Sequence, residues 1–347
     1  MNLSSEKLTE FAMQILMLAG LNREEAWHLA DCMVEADLRG ISSHGISRLR
    51  TYSTRVKSKV ISSGTEPVIL SEAGAVMTVD GRNGVGPKVA RWVMEQCIQR
   101  AKKQGAFFAA VNNSNHFGIA AYYTEYAVKQ DMIGIVVANS EASVAPTGGA
   151  IPMLGTNPLS IAVPAGKHQP FLLDMATSVV ARGKIVVAQK EGREIPSHWA
   201  VTKAGAPTTN PDEAMGGSLL PFGGYKGFGI GLFIDILCGC LAGALDSRHT
   251  NHFWDDFENP QNIGHFMGVF DVSKFVDIDV FKQRVDLLID EFKACPPAPG
   301  YTEVLIAGEV EYRIRQRHIK EGITLSDAIY NDLQKLADEY GISGTLD

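Results

Sequence analysis

Leu8, Phe11, Ala12, Ile15 and Leu16 recur at the spacing that lines one face of a helix, and Gly20 ends the run. Asn22 followed by Glu25 has the form of a capping box, predicting a second helix to Arg39 with Gly40 as its left-handed stop. A third helix is expected from Ser42-Ser43, either of which can cap it. Beyond residue 60 the pattern shifts. A short strand is expected at Val76–Val79, then the turn Asp80-Gly81-Arg82-Asn83-Gly84, then a helix with Pro87 in its first turn running to Lys103. A strand at Phe107–Val111, a helix at Gly118–Lys129 and a strand at Ile133–Ala138 continue a β-α-β-α-β alternation, which predicts an α/β layer. Short apolar runs follow at Leu159–Val163 and Phe171–Leu173. Residues 189–222 read as an irregular polar excursion, and Gly227–Leu245 as a buried, glycine-rich helix. Residues 246–265 are mixed and aromatic, Asp279–Ala294 is helical up to the break at Pro296–Gly300, and two charged helical stretches follow Gly308.

The chain has 347 residues, enough for two domains and an ample core. Its 39 acidic residues outnumber 32 basic ones, for a net charge of −7, which disfavours a nucleic-acid backbone as partner. Five cysteines without a C-x-x-C pair, and no secretory leader, point to free thiols in a reducing compartment, hence a cytoplasmic protein. Asp235 and the many glycines of the longest apolar stretch favour a packed helix over a membrane span.

Four segments carry candidate chemistry. His44, Arg48 and Tyr52 are spaced i, i+4, i+8, so a helix would place them on one face. An arginine fork matches a carboxylate, and a histidine can exchange a proton near neutral pH, so the trio suits a small acid with a carbonyl or hydroxyl beside its carboxylate. The same spacing also suits a solvated polar face. His116 sits in the strand-to-helix loop Asn112–Gly118, a usual place for ligands in α/β proteins and equally for a helix cap. Lys226 stands among glycines at the start of the apolar helix, where an anion is favoured; a flexible turn reads the same way. Asp174 closes an apolar strand, either accepting from a ligand or capping the next helix. No G-x-G-x-x-G, P-loop, H-E-x-x-H or G-x-S-x-G occurs. His249 and His252, near Asp255 and Asp256, lack a further ligand at metal-site spacing, so no metal is expected.

These stretches together resemble the malate/L-lactate dehydrogenase family, whose members lack a Rossmann fold and include ureidoglycolate dehydrogenase, sulfolactate dehydrogenase and diketogulonate reductase. The matching segments are DLRGISSHGISRL (37–49), NSNHFGIAAYY (113–123), LGTNPLSIAVP (154–164), LLDMATS (172–178), PFGGYKGFG (221–229), PAPG (297–300) and GEVEYRIRQR (308–317), nearly the whole length. The resemblance implies a mixed α/β fold with a non-Rossmann NAD(P)-binding mixed sheet and a helical domain built from both chain ends. The expected division is a helical part at 1–75, the α/β domain at 76–245, and a largely helical part at 246–347 packing back on the first. It implies an NAD(P)-dependent dehydrogenase for a small 2-hydroxy or 2-oxo acid, of malate or lactate type, with NAD slightly favoured over NADP. His44, Arg48 and His116 become catalytic candidates, Arg48 and Tyr52 substrate-binding ones. Ser140, Asp174, Met175, Ala176, Lys226, Gly308 and Glu309 match cofactor-contacting positions. A homodimer or larger homo-oligomer is implied, with neither nucleic acid nor membrane as partner. Glu141, where the ureidoglycolate enzyme has aspartate, and the APTGG stretch at 145–149 make ureidoglycolate the second choice of substrate, alongside sulfolactate- or diketogulonate-type acids.

Overall fold

A computed structural model describes residues 2–342 together with Gly344 and Leu346. A short strand β1 (Asn2–Leu3) leads into α1 (Ser5–Ala19), which is capped by Ser4 and stopped by Gly20. Helix α2 (Arg23–Leu38) begins with the reciprocal Asn22–Glu25 capping box that the sequence predicts. The single third helix expected from Ser42 does not form. Two 3₁₀ turns, Ser42–His44 and Ile46–Arg48, precede a shorter α3 (Leu49–Lys57). Gly45 causes the break: its backbone is extended (φ −86°, ψ −155°), and the next amide, Ile46 N, donates to the buried Asp37 carboxylate at 2.6 Å. A Cβ on Gly45 would overlap that carboxylate, so only glycine lets the chain pass so close.

The middle of the chain builds β2 (Val68–Ala73), β3 (Val76–Asp80), α4 (Gly86–Gln104), β4 (Ala106–Ser114), α5 (Ala121–Val128), β5 (Met132–Ala138), β6 (Leu159–Val163) and β7 (Phe171–Met175). Then come α6 (Arg182–Lys190), β8 (Ala200–Val201), α7 (Pro211–Gly216), β9 (Ser218–Leu219) and α8 (Tyr225–Asp235). A π-helical turn at Ile236–Leu241 extends α8, and β10 (Ile263–Asp271), α9 (Ile278–Lys293), α10 (Glu309–Glu321), β11 (Ile323–Thr324) and α11 (Asp327–Glu339) complete the chain. Seven strands form one mixed sheet in the order β2-β3-β4-β10-β5-β6-β7. Only β3 and β4 run parallel, joined through α4; the other neighbours are antiparallel.

Three features depart from the sequence pattern. First, β10 lies in the centre of the sheet, pairing His265 with both Val111 and Ala138, so the sheet draws on residues beyond 245. Strand β2 adds residues before 76 at the other side. Second, the stretch 189–222 is not irregular throughout. The end of α6, β8, α7 and β9 lie within it, around a small core of Val180, Ile185, Ala188, Ile195, Ala200, Ala214 and Leu219. Third, the apolar helix is buried on one side only. Gly227, Gly231, Ile234 and Cys238 face inward, while Phe233, Ile236 and Leu241 are 58%, 46% and 59% exposed. Among the described residues no helix is long and apolar enough to cross a membrane.

The two chain ends do meet. Leu333 and Leu336 of α11 share a core with Phe11 and Ile15 of α1 and with Leu49 and Tyr52. Arg315 of α10 bridges to Glu35 of α2 at 2.8 Å, and Arg50 of α3 binds Asp332 and Glu339 of α11 at 2.9 and 2.8 Å. This helical layer carries α3 to the loop between β4 and α5, where His116 lies.

Candidate active site

His44, Arg48, Tyr52 and His116 come together although no single helix carries the first three. The Tyr52 hydroxyl and His116 Nδ1 are 2.5 Å apart. The His44 ring stacks on His116 with centroids 5.6 Å apart and an interplanar angle of 16°. The Oγ of Ser43 is 2.9 Å from His44 Nδ1. The loop holding His116 is tied down on both sides. Asn115 Nδ2 donates to Asn83 Oδ1 and to Gly84 O, both at 2.9 Å, and Gln261 Oε1 accepts from His116 N at 3.1 Å. Gly86, at the start of α4, lies so close to His116 O that it has no room for a Cβ.

Arg48 reaches the same place from the second 3₁₀ turn. Its Nε donates to Ser43 O at 2.5 Å, and its guanidinium carbon lies 3.7 Å from the ring centroid of Trp254. Its terminal nitrogens make no hydrogen bond to the described residues, which leaves the outer edge of the fork free for an anion. Burial lowers the Arg48 pKa to about 10, so the side chain stays charged at neutral pH. Burial first, then the Arg48 charge, lowers the His44 pKa to about 4. Burial, His44 and Arg48 in that order push His116 well below the ordinary histidine value. Both rings are therefore neutral at pH 7. The guanidinium disfavours protonation of both, so distance from Arg48 does not separate their roles.

A neutral imidazole beside a hydroxyl is a versatile proton site. Tyr52 can donate to a bare His116 Nδ1 or accept from a protonated one, so Nε2 can give or take a proton without losing that bond. Burial raises the Tyr52 phenol above its usual range, which keeps the hydroxyl protonated.

The remaining candidates follow strand β7. As the outermost strand it has β6 on one side, and its outer-edge amide of Leu172 donates to Ala307 O at 3.1 Å, next to Gly308. Gly308 takes φ 87°, and a Cβ on it would come within 2.8 Å of Leu172 O. The Glu309 carboxylate is engaged within the chain, accepting from Ile306 N at 3.2 Å and pairing with Lys293 at 2.8 Å and with Arg313. Asp174 accepts from Ala121 N at 2.8 Å, linking β7 to the start of α5 just after the His116 loop. Burial raises its pKa to about 6. Past Met175 and Ala176, Thr177 N donates to Thr156 O at 2.8 Å, and Thr156 N donates to Ser140 Oγ at 3.1 Å. Ser178 forms a bridge with Pro221, which brings the turn Gly223-Gly224 and the exposed Lys226 alongside. Gly223 and Gly224 have φ of 57° and 63°, and a Cβ on Gly224 would meet nothing within 4 Å.

Phe253, Trp254, Gln261 and Asp37 belong to the site without having been singled out by sequence. Phe253 packs on His116 with centroids 4.7 Å apart and on Tyr52 at 5.1 Å. The available signal is an aromatic pair in a polar stretch, but nothing in its spacing ties it to position 48. His249 pairs with Asp246 at 2.9 Å on the surface, and among the described residues no three histidine, cysteine, aspartate or glutamate side chains converge as a metal site.

A cationic fork lies beside two stacked imidazoles, and strand β7 forms one edge of the mixed sheet. The sequence profile of the malate/L-lactate dehydrogenase family matches residues 3–334, and the chain belongs to that family. It is 39% identical to the L-sulfolactate dehydrogenase of Methanocaldococcus jannaschii over 343 residues, 99% of this chain and 98% of that protein. The solved structure of a sulfolactate dehydrogenase from that organism superposes with a TM-score of 0.93 over 99% of this chain and 98% of that one. The malate dehydrogenase of Pyrococcus horikoshii is 36% identical over 98% of this chain and 95% of its own length. Its structure gives a TM-score of 0.91, covering 99% of this chain and 97% of that one. Ureidoglycolate dehydrogenase (NAD(+)) of Escherichia coli K12 is 34% identical over 96% of this chain and 95% of that protein.

Proposed function

We propose that the chain is an NAD(P)-dependent dehydrogenase that moves a hydride between nicotinamide and C2 of a small 2-hydroxy or 2-oxo acid of malate or lactate type. The observation that carries this is the free guanidinium edge of Arg48 beside the stacked His44 and His116 rings. Malate and sulfolactate, named in two of the relatives, are both 2-hydroxy acids with a further anionic group. NAD is slightly favoured, as in the name of the ureidoglycolate relative.

The residues along β7 fit a dinucleotide. Past the Leu172–Ala307 bond the outer edge of the strand leads toward the open space before α8, which lies beside the Lys226 ammonium and a helix N-terminus, both suited to a phosphate. In this reading Asp174, Met175, Ala176 and Ser140 line the cofactor's path. Gly308 lets α10 approach, and Glu309 acts through its backbone. When bound, the nicotinamide supplies or accepts the hydride at C4. Arg48 holds the substrate carboxylate bidentately and thereby fixes C2. His116 Nε2 exchanges the hydroxyl proton, with Tyr52 accommodating both ring states, and His44 orients the substrate oxygen.

Residues on the exposed face of α8, with Leu287, Leu288 and Phe292 of α9, support a homodimer or larger assembly. The five free cysteines suit the cytoplasm. The acidic balance suits a small-molecule partner rather than nucleic acid or membrane.

The test is the absorbance of reduced nicotinamide during incubation with a panel of 2-oxo acids that includes oxaloacetate and pyruvate. Cofactor oxidation that depends on the acid is expected. A module that only binds anions would give no turnover, and a metal-dependent hydrolase would ignore nicotinamide and stop on chelation.

A further inference from the structure

Trp254 is half exposed, 51% of its surface being open, yet its ring centroid sits 3.7 Å from the Arg48 guanidinium carbon. Its neighbour Phe253 is buried, 4.7 Å from the His116 ring, and the two aromatic rings meet edge-on at 5.3 Å. A buried arginine holds this pair in place. Arg55 is fully buried, and its Nη1 donates to the carbonyls of His252, Phe253 and Asp256 at 3.3, 3.2 and 2.7 Å. Its guanidinium also faces the Phe253 ring at 5.5 Å. These three bonds, all from Nη1, tie the 252–256 segment to α3. The Asp256 carboxylate closes the following turn by accepting from Glu258 N and Asn259 N at 3.0 and 2.9 Å.

Resting on the function proposed above, we infer that Trp254 determines substrate specificity. It walls one side of the carboxylate clamp, limits the bulk an acid can carry at C3, and holds the Arg48 fork flat, with Arg55 as the positioning residue behind it. An acid bound to the free edge of Arg48 has its C3 substituent within reach of whatever covers the guanidinium, and Trp254 and Phe253 cover it. A cation over an aromatic face loses attraction when the ring is removed, and the fork gains freedom that weakens bidentate binding.

The experiment is steady-state kinetics of the full-length chain as wild type, Trp254→Ala and Trp254→Phe. The acids are phenylpyruvate and the compact acid, oxaloacetate or pyruvate, that wild type reduces faster. For Trp254→Ala, KM for the compact acid should rise about tenfold while kcat changes little. The ratio of kcat/KM for the compact acid over phenylpyruvate should fall by at least about tenfold. Trp254→Phe, which keeps a ring over Arg48, should restore most of both values. Trp254→Leu serves as the same test should the alanine variant be insoluble. An unchanged ratio with an unchanged KM overturns the inference, as does an equal loss of kcat for both acids, the mark of a merely structural role. A wild type that reduces neither compact acid overturns the functional reading itself, and this inference with it.

Discussion

Arg48 offers two terminal nitrogens without a hydrogen bond among the described residues, beside two neutral imidazoles, and a lysine there keeps the charge but loses the fork. Losing one charge-assisted bond costs about 1.5–3 kcal/mol, so Arg48→Lys should raise KM for the oxo acid about tenfold or more with cofactor affinity unchanged. Steady-state kinetics and a fluorescence titration of the dinucleotide check this. The histidines give a pH signature with a definite sign. Burial depresses both below the ordinary 6.5, so a bare imidazole is available well into the acid range. In the oxidative direction, which needs a base, kcat/KM should hold steady as pH falls through 6.5 and decline only below it. A decline centred at or above 6.5 would remove these histidines as the base. Within the pair, the buried Tyr52 on Nδ1 favours His116 as proton carrier over His44, whose Nδ1 meets the exposed Ser43. His116→Ala should therefore lose that acid limb and about 10²–10⁴ in kcat, whereas His44→Ala should mainly raise KM. At this scale the sequence was readable because residue chemistry is local: arginine, histidine and tyrosine declare what they can do. The Phe253–Trp254 wall was not readable, because Arg55 makes the connection across some two hundred residues of chain.

The i, i+4, i+8 spacing of His44, Arg48 and Tyr52 predicts that they converge, and they do, but by a different path. Two 3₁₀ turns broken at Gly45 replace the helix, because the Asp37 carboxylate takes the Ile46 amide and leaves no room for a side chain at position 45. Gly45→Ala should therefore cost about 1–3 kcal/mol of stability through overpacking and raise KM by displacing the turns that carry His44 and Arg48. Urea melts and kinetics on the same preparation measure both effects. An alanine variant as stable and active as wild type would show that the Asp37 contact does not shape the site. Strands with local alternation, such as Leu159–Val163, are recovered residue for residue. Strand β10 is not legible in the sequence because its aromatic and histidine content obscures alternation, and its partners β4 and β5 lie far upstream. The apolar helix α8 shows the complementary failure. Its composition marks it as apolar, and composition does not say how much of that surface its own chain covers.

For the whole molecule, that exposed face is the main consequence. Phe233, Ile236 and Leu241 on α8 and its extension, and Leu287, Leu288 and Phe292 on α9, are each roughly half exposed, large apolar side chains of the kind that an assembly interface covers. Light scattering at micromolar concentration should give at least twice the 37.6 kDa of one chain, and a mass of one chain would contradict the assembly. The mixed architecture was legible at this scale through motifs spread over nearly the full length. The division at 75 and 245 is crossed by the sheet, because strand order is decided by pairing partners and not by position along the chain.

In the proposed function β7 and the Arg48–His116 cluster serve one reaction, direct hydride transfer to C2 of a 2-oxo acid. The most direct measurement uses reduced nicotinamide carrying deuterium at both C4 positions, with the 2-oxo acid that wild type turns over, and mass spectrometry of the product. The account predicts one deuterium at C2 of the resulting 2-hydroxy acid, with none lost to water. A product without label, or one whose C2 hydrogen comes from solvent, would contradict it.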